Sequence, residues 1–291
     1  MTFRTRFAPS PTGPLHLGHA YSAILAHDMA RARGGDFLLR IEDIDRDRSK
    51  PEWEAQIEDD LAWLGLSWET PVLHQSERLA AYAAVLEDLW QRGLVYPCTC
   101  TRRDIQMAAS APQEGASPAI GPDGPVYPGT CRAAQVRFAP APLPREALRL
   151  DMCRALDVLA RRPDPDALGF VETGGGQPRR VAIGAGHLIA EVGDVVLARR
   201  DMGTSYHLSV VLDDAFQGIT HVVRGEDLFE ATQIHVLLQR LLDLPTPTYH
   251  HHRLIRDEKG KRLAKRDDAR AIRTYRAEGA TPQDIRAMVG L

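Results

Sequence analysis

Apolar residues near the start of the chain follow two patterns, helical spacing and short continuous runs. Thr2 to Phe7 is typical of a short strand, and Phe37 to Ile41 is typical of a strand covered on both faces in a parallel sheet. Between these runs, apolar residues recur at helical spacing up to Gly34, and they are Leu17, Tyr21, Ile24, Leu25 and Met29. This order of strand, helix and strand predicts the opening of a doubly wound parallel sheet.

Two more helices are predicted before the regular pattern ends. One spans Pro51 to Gly65, and the other spans Ser76, its expected N-cap, to Gly93. From Tyr96 to Val181 proline and glycine recur and the periodicity weakens, apart from one candidate helix from Arg145 to Leu159. We interpret this region as an insertion between two halves of the sheet.

Sheet patterns return in the last third of the chain. Leu208 to Leu212 (LSVVL) and Ile219 to Val223 (ITHVV) are predicted to be strands. A helix follows them, and its apolar face is formed by Ile234, Leu237, Leu238 and Leu241. These elements are expected to complete the second half of the sheet.

Composition and charge restrict the class of protein. The chain has 291 residues, no apolar run of the ~20 residues that cross a membrane, and no secretory signal at its start, so a cytoplasmic location is expected. Four cysteines are too few for a disulfide scaffold of this length, which makes metal binding the better question. The net charge of −3 is uneven, because Arg253 to Arg276 carries ten Lys or Arg against four Asp or Glu. This basic segment is the expected polyanion-facing surface.

His16 and His19 indicate an anion site at the start of the first helix. Residues three apart lie on one helical face, and the unpaired N–H groups and dipole of a helix N-terminus favour phosphate. Ordinary surface histidines would be the default explanation of such a pair. The pair follows a Pro-Ser-Pro-Thr-Gly turn between the first strand and the first helix, where α/β sheets place their ligands.

Three motifs in order resemble the catalytic core of glutamyl-tRNA synthetases, which are class I aminoacyl-tRNA synthetases. They are RFAPSPTGPLHLGH at 6–19, RIEDID at 40–45 and LDDAFQGITHVVRGED at 212–227, and the resemblance covers roughly residues 4 to 270. The resemblance implies ATP with Mg²⁺, L-glutamate and tRNA as partners. It also implies an ATP site that includes His16, Gly18 and His19.

A glutamate pocket needs cations for two carboxylates and an acid for one ammonium. Arg6 and Arg224 can each bind a carboxylate through a bidentate fork, and Glu42 can bind the ammonium. The alternative makes Arg224 and Glu42 only an ion pair. By resemblance, the rest of the glutamate site is formed by Phe7, Ala8, Pro9, Ser10 and Tyr206.

The second class I signature, usually Lys-Met/Leu-Ser-Lys, has an altered counterpart at Arg262 to Arg266. Lys265 holds the position of the second lysine and is predicted to stabilise the transferring phosphoryl group together with His16 and His19. Arg262 keeps the first charge, whereas Ala264 loses a hydroxyl. A solvated basic run is the alternative interpretation.

Cys98, Cys100, Tyr127 and Cys131 fit a structural zinc site with three thiolates and one phenolate. Three free cysteines are the alternative. The set resembles the zinc site of one branch of the family, the glutamyl-queuosine tRNA(Asp) synthetases. That resemblance implies one Zn²⁺ with no position left open for catalysis.

The expected fold is α/β, a Rossmann-like doubly wound parallel sheet with an inserted zinc-containing subdomain and a short helical C-terminal segment. The expected domains are the first half of the catalytic domain at 1–95, the zinc-binding, acceptor-like insertion at 96–183, the second half at 184–248 and the C-terminal segment at 249–291. We expect no anticodon-binding domain, because the chain ends 26 residues after Lys265.

That architecture resembles the glutamyl-queuosine branch, which attaches glutamate to the queuosine base of tRNA(Asp), and we expect a monomer. Three alternatives stay open: a shortened synthetase that charges the tRNA 3′ end, a nucleotidyltransferase that makes a small-molecule adenylate, and a non-catalytic binding protein. The sequence assigns no role to the Pro/Gly-rich stretches at 105–125 and 160–180.

Overall fold

A computed structural model describes residues 2–109, 120–133, 142–162, 168–256 and 270–291 of the chain. Its helices are α1 (Leu17–Arg31), α2 (Pro51–Trp63), α3 (Leu79–Gln91), α4 (Arg102–Ala109), α5 (Thr130–Ala133), α6 (Met152–Ala160), α7 (Ala185–His187), α8 (Tyr206–Phe216), α9 (Thr232–Leu241), α10 (Ile272–Ala277) and α11 (Pro282–Val289). Its strands are β1 (Arg4–Phe7), β2 (Asp36–Ile41), β3 (Glu69–His74), β4 (Val95–Cys98), β5 (Ile120–Gly121), β6 (Gly124–Pro125), β7 (Ala147–Leu150), β8 (Gly169–Glu172), β9 (Arg179–Ala182), β10 (Val196–Ala198), β11 (His221–Gly225) and β12 (Thr248–His252).

The first half of the chain forms a three-stranded parallel sheet in the order β1-β2-β3. Phe37, Leu39 and Ile41 are fully buried on one face of β2. On the other face Leu38 is half-buried and Arg40 is fully buried, so both faces are covered and the sequence does not alternate. Helix α1 connects β1 to β2, so the predicted order of strand, helix and strand is confirmed.

The second half forms a four-stranded sheet in the order β11-β12-β8-β9, with three parallel strands and an antiparallel edge strand β9. The two halves meet between β1 and β11, where the amide of Thr220 donates to the carbonyl of Arg4 at 3.0 Å. The carboxyl ends of β1, β2 and β11 are Phe7, Ile41 and Gly225. Ligands of doubly wound sheets bind beyond such ends.

Three of the local predictions are corrected by the structure. The run Leu208 to Leu212 is not a strand but lies in α8, whose N-cap Ser205 accepts a hydrogen bond from the Leu208 amide at 3.4 Å. Ser76 is not the N-cap of α3, because a 3₁₀ turn precedes that helix and the Ser76 hydroxyl donates to Asp43 at 2.6 Å. The candidate helix from Arg145 begins as strand β7 and becomes helical only at Met152.

The region after β4 adds a separate antiparallel sheet in the order β10-β7-β4 and a small hairpin of β5 and β6. Strand β8 falls inside the range 96–183, yet it pairs with β12 in the second parallel sheet. The four domain ranges remain predictions. In the described part of the chain, every helix is too short or too polar to cross a membrane.

Candidate active site

The turn after β1 leads into a helix that begins with two stacked histidines. His16 is the N-cap of α1, and its ring lies 3.7 Å from that of His19, centroid to centroid. The Gly18 amide donates to Nδ1 of His16 at 3.1 Å, and the His16 amide donates to Nδ1 of His19 at 3.1 Å. Accepting at Nδ1 puts the ring proton of each neutral histidine on Nε2, the donor that a phosphate oxygen requires.

The absence of a side chain at Gly18 leaves room for the His16 ring. A Cβ added there would lie 3.0 Å from Cε1 and 3.1 Å from Nδ1 of His16. The predicted pairing of His16 and His19 on one helical face is therefore present in the structure, at the helix end that favours anions.

A buried network of four charged residues lies at the carboxyl ends of β1 and β2. Asp214 of α8 accepts from Arg6 Nε at 2.9 Å and from Arg40 Nη1 at 2.7 Å. Arg40 also donates to Glu42 Oε1 at 3.3 Å. Asp214 thus occupies the Nε and Nη2 edge of the Arg6 guanidinium, and the assignment of Arg6 to a glutamate carboxylate remains a prediction.

The pKa values of the two acids move in opposite directions. Burial raises the pKa of Asp214, but the guanidinium groups of Arg6 and Arg40 outweigh it and hold that pKa below its usual value. Burial also raises the pKa of Glu42, and the same two arginines offset it only in part, so its pKa stays above the usual value. Glu42 is consequently the acid whose charge is least compensated, as an ammonium site requires.

Arg224, the arginine of β11, donates hydrogen bonds to four uncharged groups. Its Nε donates to His251 Nε2 at 3.2 Å and its Nη1 to His235 Nδ1 at 3.1 Å. Its Nη2 donates to the Thr232 hydroxyl at 2.7 Å and to the Leu228 carbonyl at 3.3 Å. These bonds use four of its five N–H groups, so one N–H on Nη1 remains for a substrate carboxylate and the expected bidentate fork is not open in this arrangement. The cation partner of Glu42 within the described residues is Arg40, so Arg224 and Glu42 do not form the ion pair considered as an alternative.

Tyr206 and the turn of 7–10 lie close to the charged residues of the pocket. The charges of Arg224, Glu42, Arg6 and Asp214 all act on the hydroxyl of Tyr206, whose pKa is raised mainly by burial. The carbonyl of Pro9 accepts from the Glu42 amide at 3.0 Å, which fixes the turn of 7–10 against β2. The Ser10 carbonyl accepts from Thr12 within that turn, at 2.8 Å.

The charges of this pocket match a glutamate zwitterion. Arg6 and Arg40 form ion pairs with Asp214 and Glu42, whereas Arg224 makes no direct ion pair with a carboxylate among the described residues. Free glutamate carries two carboxylates and one ammonium, a net charge of −1. Its two kinds of charge have separate partners here, because Arg224 comes from β11 and Glu42 follows β2.

Lys265, Arg262 and Ala264 of the altered second signature lie outside the described residues. The chain after that range returns to the first signature, where the Ile272 amide donates to the Leu15 carbonyl at 2.8 Å and Ala271 pairs with His16. The residues that follow the second signature therefore contact the histidine turn directly.

Three sulphur atoms and one phenol oxygen converge next to the β10-β7-β4 sheet. The sulphurs of Cys98, Cys100 and Cys131 lie within 4.8 Å of one another. Cys100 Sγ is 3.5 Å from Cys131 Sγ, and Tyr127 Oη is 3.5 Å from Cys98 Sγ and 3.4 Å from Cys100 Sγ. Tetrahedral zinc with bonds of ~2.3 Å to sulphur and ~2.0 Å to oxygen requires about 3.8 Å between sulphurs and about 3.5 Å between sulphur and oxygen. The four donor atoms fit such an ion.

Arg149 compensates negative charge at this cluster. Its Nε donates to Cys98 Sγ at 3.3 Å, and its guanidinium lies 4.0 Å from the centre of the Tyr127 ring. Burial raises the pKa of Cys131, but hydrogen bonds from the Tyr127 hydroxyl and from neighbouring groups lower it to about 6. A thiol that ionises near neutral pH is suited to bind a metal.

Several residues of the site are absent from the sequence-based prediction. Arg40 and Asp214 were visible as charged residues inside otherwise apolar runs, a signal of buried ion pairs. His235 and His251 gave no comparable signal, because their bonds to Arg224 join segments that are separate in the sequence.

Comparison with known proteins identifies the class. Residues 2–120 and 184–291 match the family described as tRNA synthetases class I (E and Q), catalytic domain. The chain therefore contains a class I tRNA synthetase catalytic domain. Members of this class are ligases that use ATP with Mg²⁺.

Similar whole proteins narrow the class to one family. A glutamyl-Q tRNA(Asp) synthetase of Rhodobacter capsulatus is 67% identical over 99% of this chain and 99% of its own length. Another, from Symbiobacterium thermophilum, is 41% identical over 96% of this chain and 83% of its own. The chain belongs to the family of glutamyl-Q tRNA(Asp) synthetases and is an enzyme, a ligase.

Solved structures agree with this fold. The glutamate-tRNA synthetase of Elizabethkingia anophelis matches with a TM-score of 0.73 at 25% identity, covering 100% of this chain. The glutamate tRNA ligase of Elizabethkingia meningosepticum, solved in complex with its amino acid, matches with a TM-score of 0.71 at 26% identity. This chain spans 61% of the length of each.

Proposed function

We propose that this enzyme activates L-glutamate with ATP and transfers the glutamyl group to the queuosine base of tRNA(Asp). The observation that carries the first half is the presence in one pocket of a cation with only uncharged hydrogen-bond partners, Arg224, and of an acid whose charge is only partly offset, Glu42. The two residues supply a cation for a carboxylate and an anion for the ammonium of one amino acid. The second half is supported by the names of relatives that match this chain over nearly its whole length.

In the proposed activation, a carboxylate oxygen of glutamate attacks the α-phosphorus of ATP. A new oxygen–phosphorus bond forms, the bond to the leaving phosphate breaks, and the products are glutamyl-adenylate and pyrophosphate. His16 and His19 donate from Nε2 to phosphate oxygens, and the N-terminus of α1 stabilises the same charge. We assign Lys265 to the transferring phosphoryl group. Mg²⁺ would supply further neutralisation of the phosphate charge.

In the proposed transfer, a hydroxyl of the cyclopentenediol of queuosine attacks the carbonyl carbon of the adenylate. An ester bond forms, the bond between the carbonyl carbon and the phosphate oxygen breaks, and AMP leaves. The hydroxyl proton is released to water or to the phosphate. The pocket positions the carbonyl by binding both charged ends of the amino acid.

We also propose one structural Zn²⁺ bound by Cys98, Cys100, Tyr127 and Cys131. The donor distances support a tetrahedral ion, and zinc with four protein ligands has no open position for chemistry. It would join β4 to the segment of Tyr127 and α5. We further propose the four domain ranges, a monomeric state and a cytoplasmic location, where tRNA and ATP occur together.

The proposal is tested by exchange of labelled pyrophosphate into ATP. With glutamate alone the protein should catalyse exchange, and Arg224→Lys should raise the KM for glutamate while leaving the KM for ATP within about twofold. Arg240→Lys, an arginine of α9 outside the pocket, is the matched control. Exchange that requires added tRNA, or that fails with every amino acid, contradicts the proposal.

The alternative product is glutamate on the 3′ end of tRNA, which the similar glutamate-tRNA synthetase structures favour. The pocket is the same for both products. Labelled glutamate offered with ATP to tRNA(Asp) that has or lacks queuosine separates them, since only the queuosine acceptor depends on the modification.

A further inference from the structure

A line of side chains connects the glutamate pocket to the hairpin of β5 and β6. Arg224 Nη1 lies 3.1 Å from His235 Nδ1, His235 Nε2 lies 3.1 Å from His207 Nδ1, and His207 Nε2 lies 3.5 Å from Asp123 Oδ1. Both histidines are buried, with 2% and 6% of their surface exposed, whereas the Asp123 side chain is 39% exposed. The line runs from the interior to the edge of the hairpin.

The hydrogen bonds along this line have only one consistent set of protons. Arg224 can only donate, so Nδ1 of His235 accepts and its proton lies on Nε2. His235 then donates to Nδ1 of His207, which leaves the His207 proton on Nε2, directed at the Asp123 carboxylate. Burial and the charge of Arg224 hold the pKa of His235 well below its usual value, so its ring is neutral. Both hydrogen bonds of the line therefore donate away from Arg224, and the line ends in the 3.5 Å contact between His207 and Asp123.

A second, shorter line has the same form. Arg224 Nε donates to Nε2 of His251, and Nδ1 of His251 donates to the buried Glu172 in a short hydrogen bond. Two imidazoles separate the arginine from the carboxylate in the first line, and one does so in the second. Such spacing orients the guanidinium without placing a protein carboxylate against it, which would compete with the substrate.

The hairpin that carries Asp123 is itself firmly placed. The backbone of Gly121 approaches the Glu191 carbonyl so closely that an added Cβ would lie 2.3 Å from that oxygen. Four residues after Asp123 the chain reaches Tyr127, one of the four donors of the cysteine cluster. Asp123 is thus fixed relative to both the cluster and α8.

We infer that Asp123, His207 and His235 form a positioning chain through which the hairpin of the inserted region orients Arg224 and sets the affinity for glutamate. The inference rests on the proposed function, in which Arg224 binds a carboxylate of the substrate. It assigns these three residues no contact with the reacting atoms. Their effect is on the binding of glutamate and not on that of ATP.

The test measures the glutamate Kd of the full chain by calorimetry. His235→Ala should weaken glutamate binding about tenfold, because it removes a hydrogen bond to a charged group. His235→Asn should recover most of this loss, since its Oδ1 can accept from Arg224. Asp123→Ala should weaken binding about threefold. Matched controls are Asp157→Ala and His187→Ala, two exposed residues, and neither should change the Kd.

The positioning chain makes a further prediction, which would not hold if Asp123 and His235 acted independently. Asp123→Ala should have no additional effect when His235 is already alanine, because the connection is then broken. The KM for ATP should stay within about twofold in all folded variants. Nitrogen NMR of the intact protein should show the proton of His207 and His235 on Nε2; a proton on Nδ1 of either ring overturns the inference.

The outcomes separate this inference from the proposed function. Unchanged glutamate Kd in Asp123→Ala, or additive effects of Asp123→Ala and His235→Ala, refutes the positioning chain even if pyrophosphate exchange is normal. Absence of glutamate-dependent exchange in the unmodified protein instead refutes the proposed function. If His235→Ala does not fold, His207→Asn, which removes the donor to Asp123, replaces it in the same cycle.

Discussion

Replacing Asp214 by asparagine tests the buried charge network that forms one side of the pocket. The carboxylate accepts from Arg6 at 2.9 Å and from Arg40 at 2.7 Å, and the side chains of the two arginines are 6% and 0% exposed. The asparagine removes the negative charge and presents an N–H donor where two guanidinium groups also donate. Removing one partner of a buried ion pair costs about 3–5 kcal/mol, because the remaining charge is left uncompensated.

The matched control is Asp36→Asn, which alters the same kind of arginine contact at the surface. Asp36 accepts from Arg4 at 2.7 Å, but the two side chains are 30% and 34% exposed. Solvent screening limits the expected loss there to about 1 kcal/mol or less. At roughly 2–4 °C per kcal/mol, Asp214→Asn should lower Tm by about 10 °C and Asp36→Asn by about 2 °C.

Urea denaturation at several pH values measures both the size and the sign of this effect. Because the folded pKa of Asp214 is below its unfolded value, its stabilisation is full above the unfolded pKa and is lost as pH falls through the folded pKa. The difference between wild type and Asp214→Asn should therefore be full at pH 7 and shrink below about pH 4. Equal losses for Asp214→Asn and Asp36→Asn at pH 7 would refute the reasoning.

Three further changes test other parts of the site. Gly18→Ala should lower the kcat of pyrophosphate exchange about tenfold with an unchanged glutamate KM, because its Cβ must displace the His16 ring from 3.0 Å. Tyr127→Phe should lower zinc affinity at least tenfold, measured by competition with a chelator; unaltered affinity excludes the phenol as a ligand. Glu42→Gln should abolish glutamate binding by calorimetry. Burial raises the folded pKa of Glu42, so ionising this residue lowers the stability of the wild type. The free energy of unfolding of Glu42→Gln should therefore rise relative to that of the wild type as pH increases from 4.5 to 8. A difference that does not change with pH contradicts the raised pKa.

Local patterns in the sequence predicted the first strand, helix and strand of the fold, but they did not predict β3. Continuous apolar residues in β2 and helical spacing in α1 have causes within a few neighbouring residues, and both elements formed as predicted. The run LSVVL of α8 did not. A short apolar run buried on all sides has the same appearance in a helix and in a strand, and only Ser205 as an N-cap distinguished the two.

In the candidate site, too, local patterns predicted some features, whereas contacts between distant segments decided others. The residues quoted from the three motifs were brought together by the fold, but what each arginine binds depends on segments far away in the sequence. Asp214 is 208 residues from Arg6 and 174 from Arg40, so no local pattern could show that it occupies the fork of Arg6. His207 likewise gave no signal as a partner of His235, 28 residues later.

The attachment site of glutamate tests the proposed function most directly. Labelled glutamate, ATP and the protein are incubated with tRNA(Asp) that carries queuosine, the tRNA is digested, and the fragments are separated. We expect the label on the anticodon fragment that contains queuosine, and none with unmodified tRNA. Label on the 3′-terminal adenosine would contradict the account.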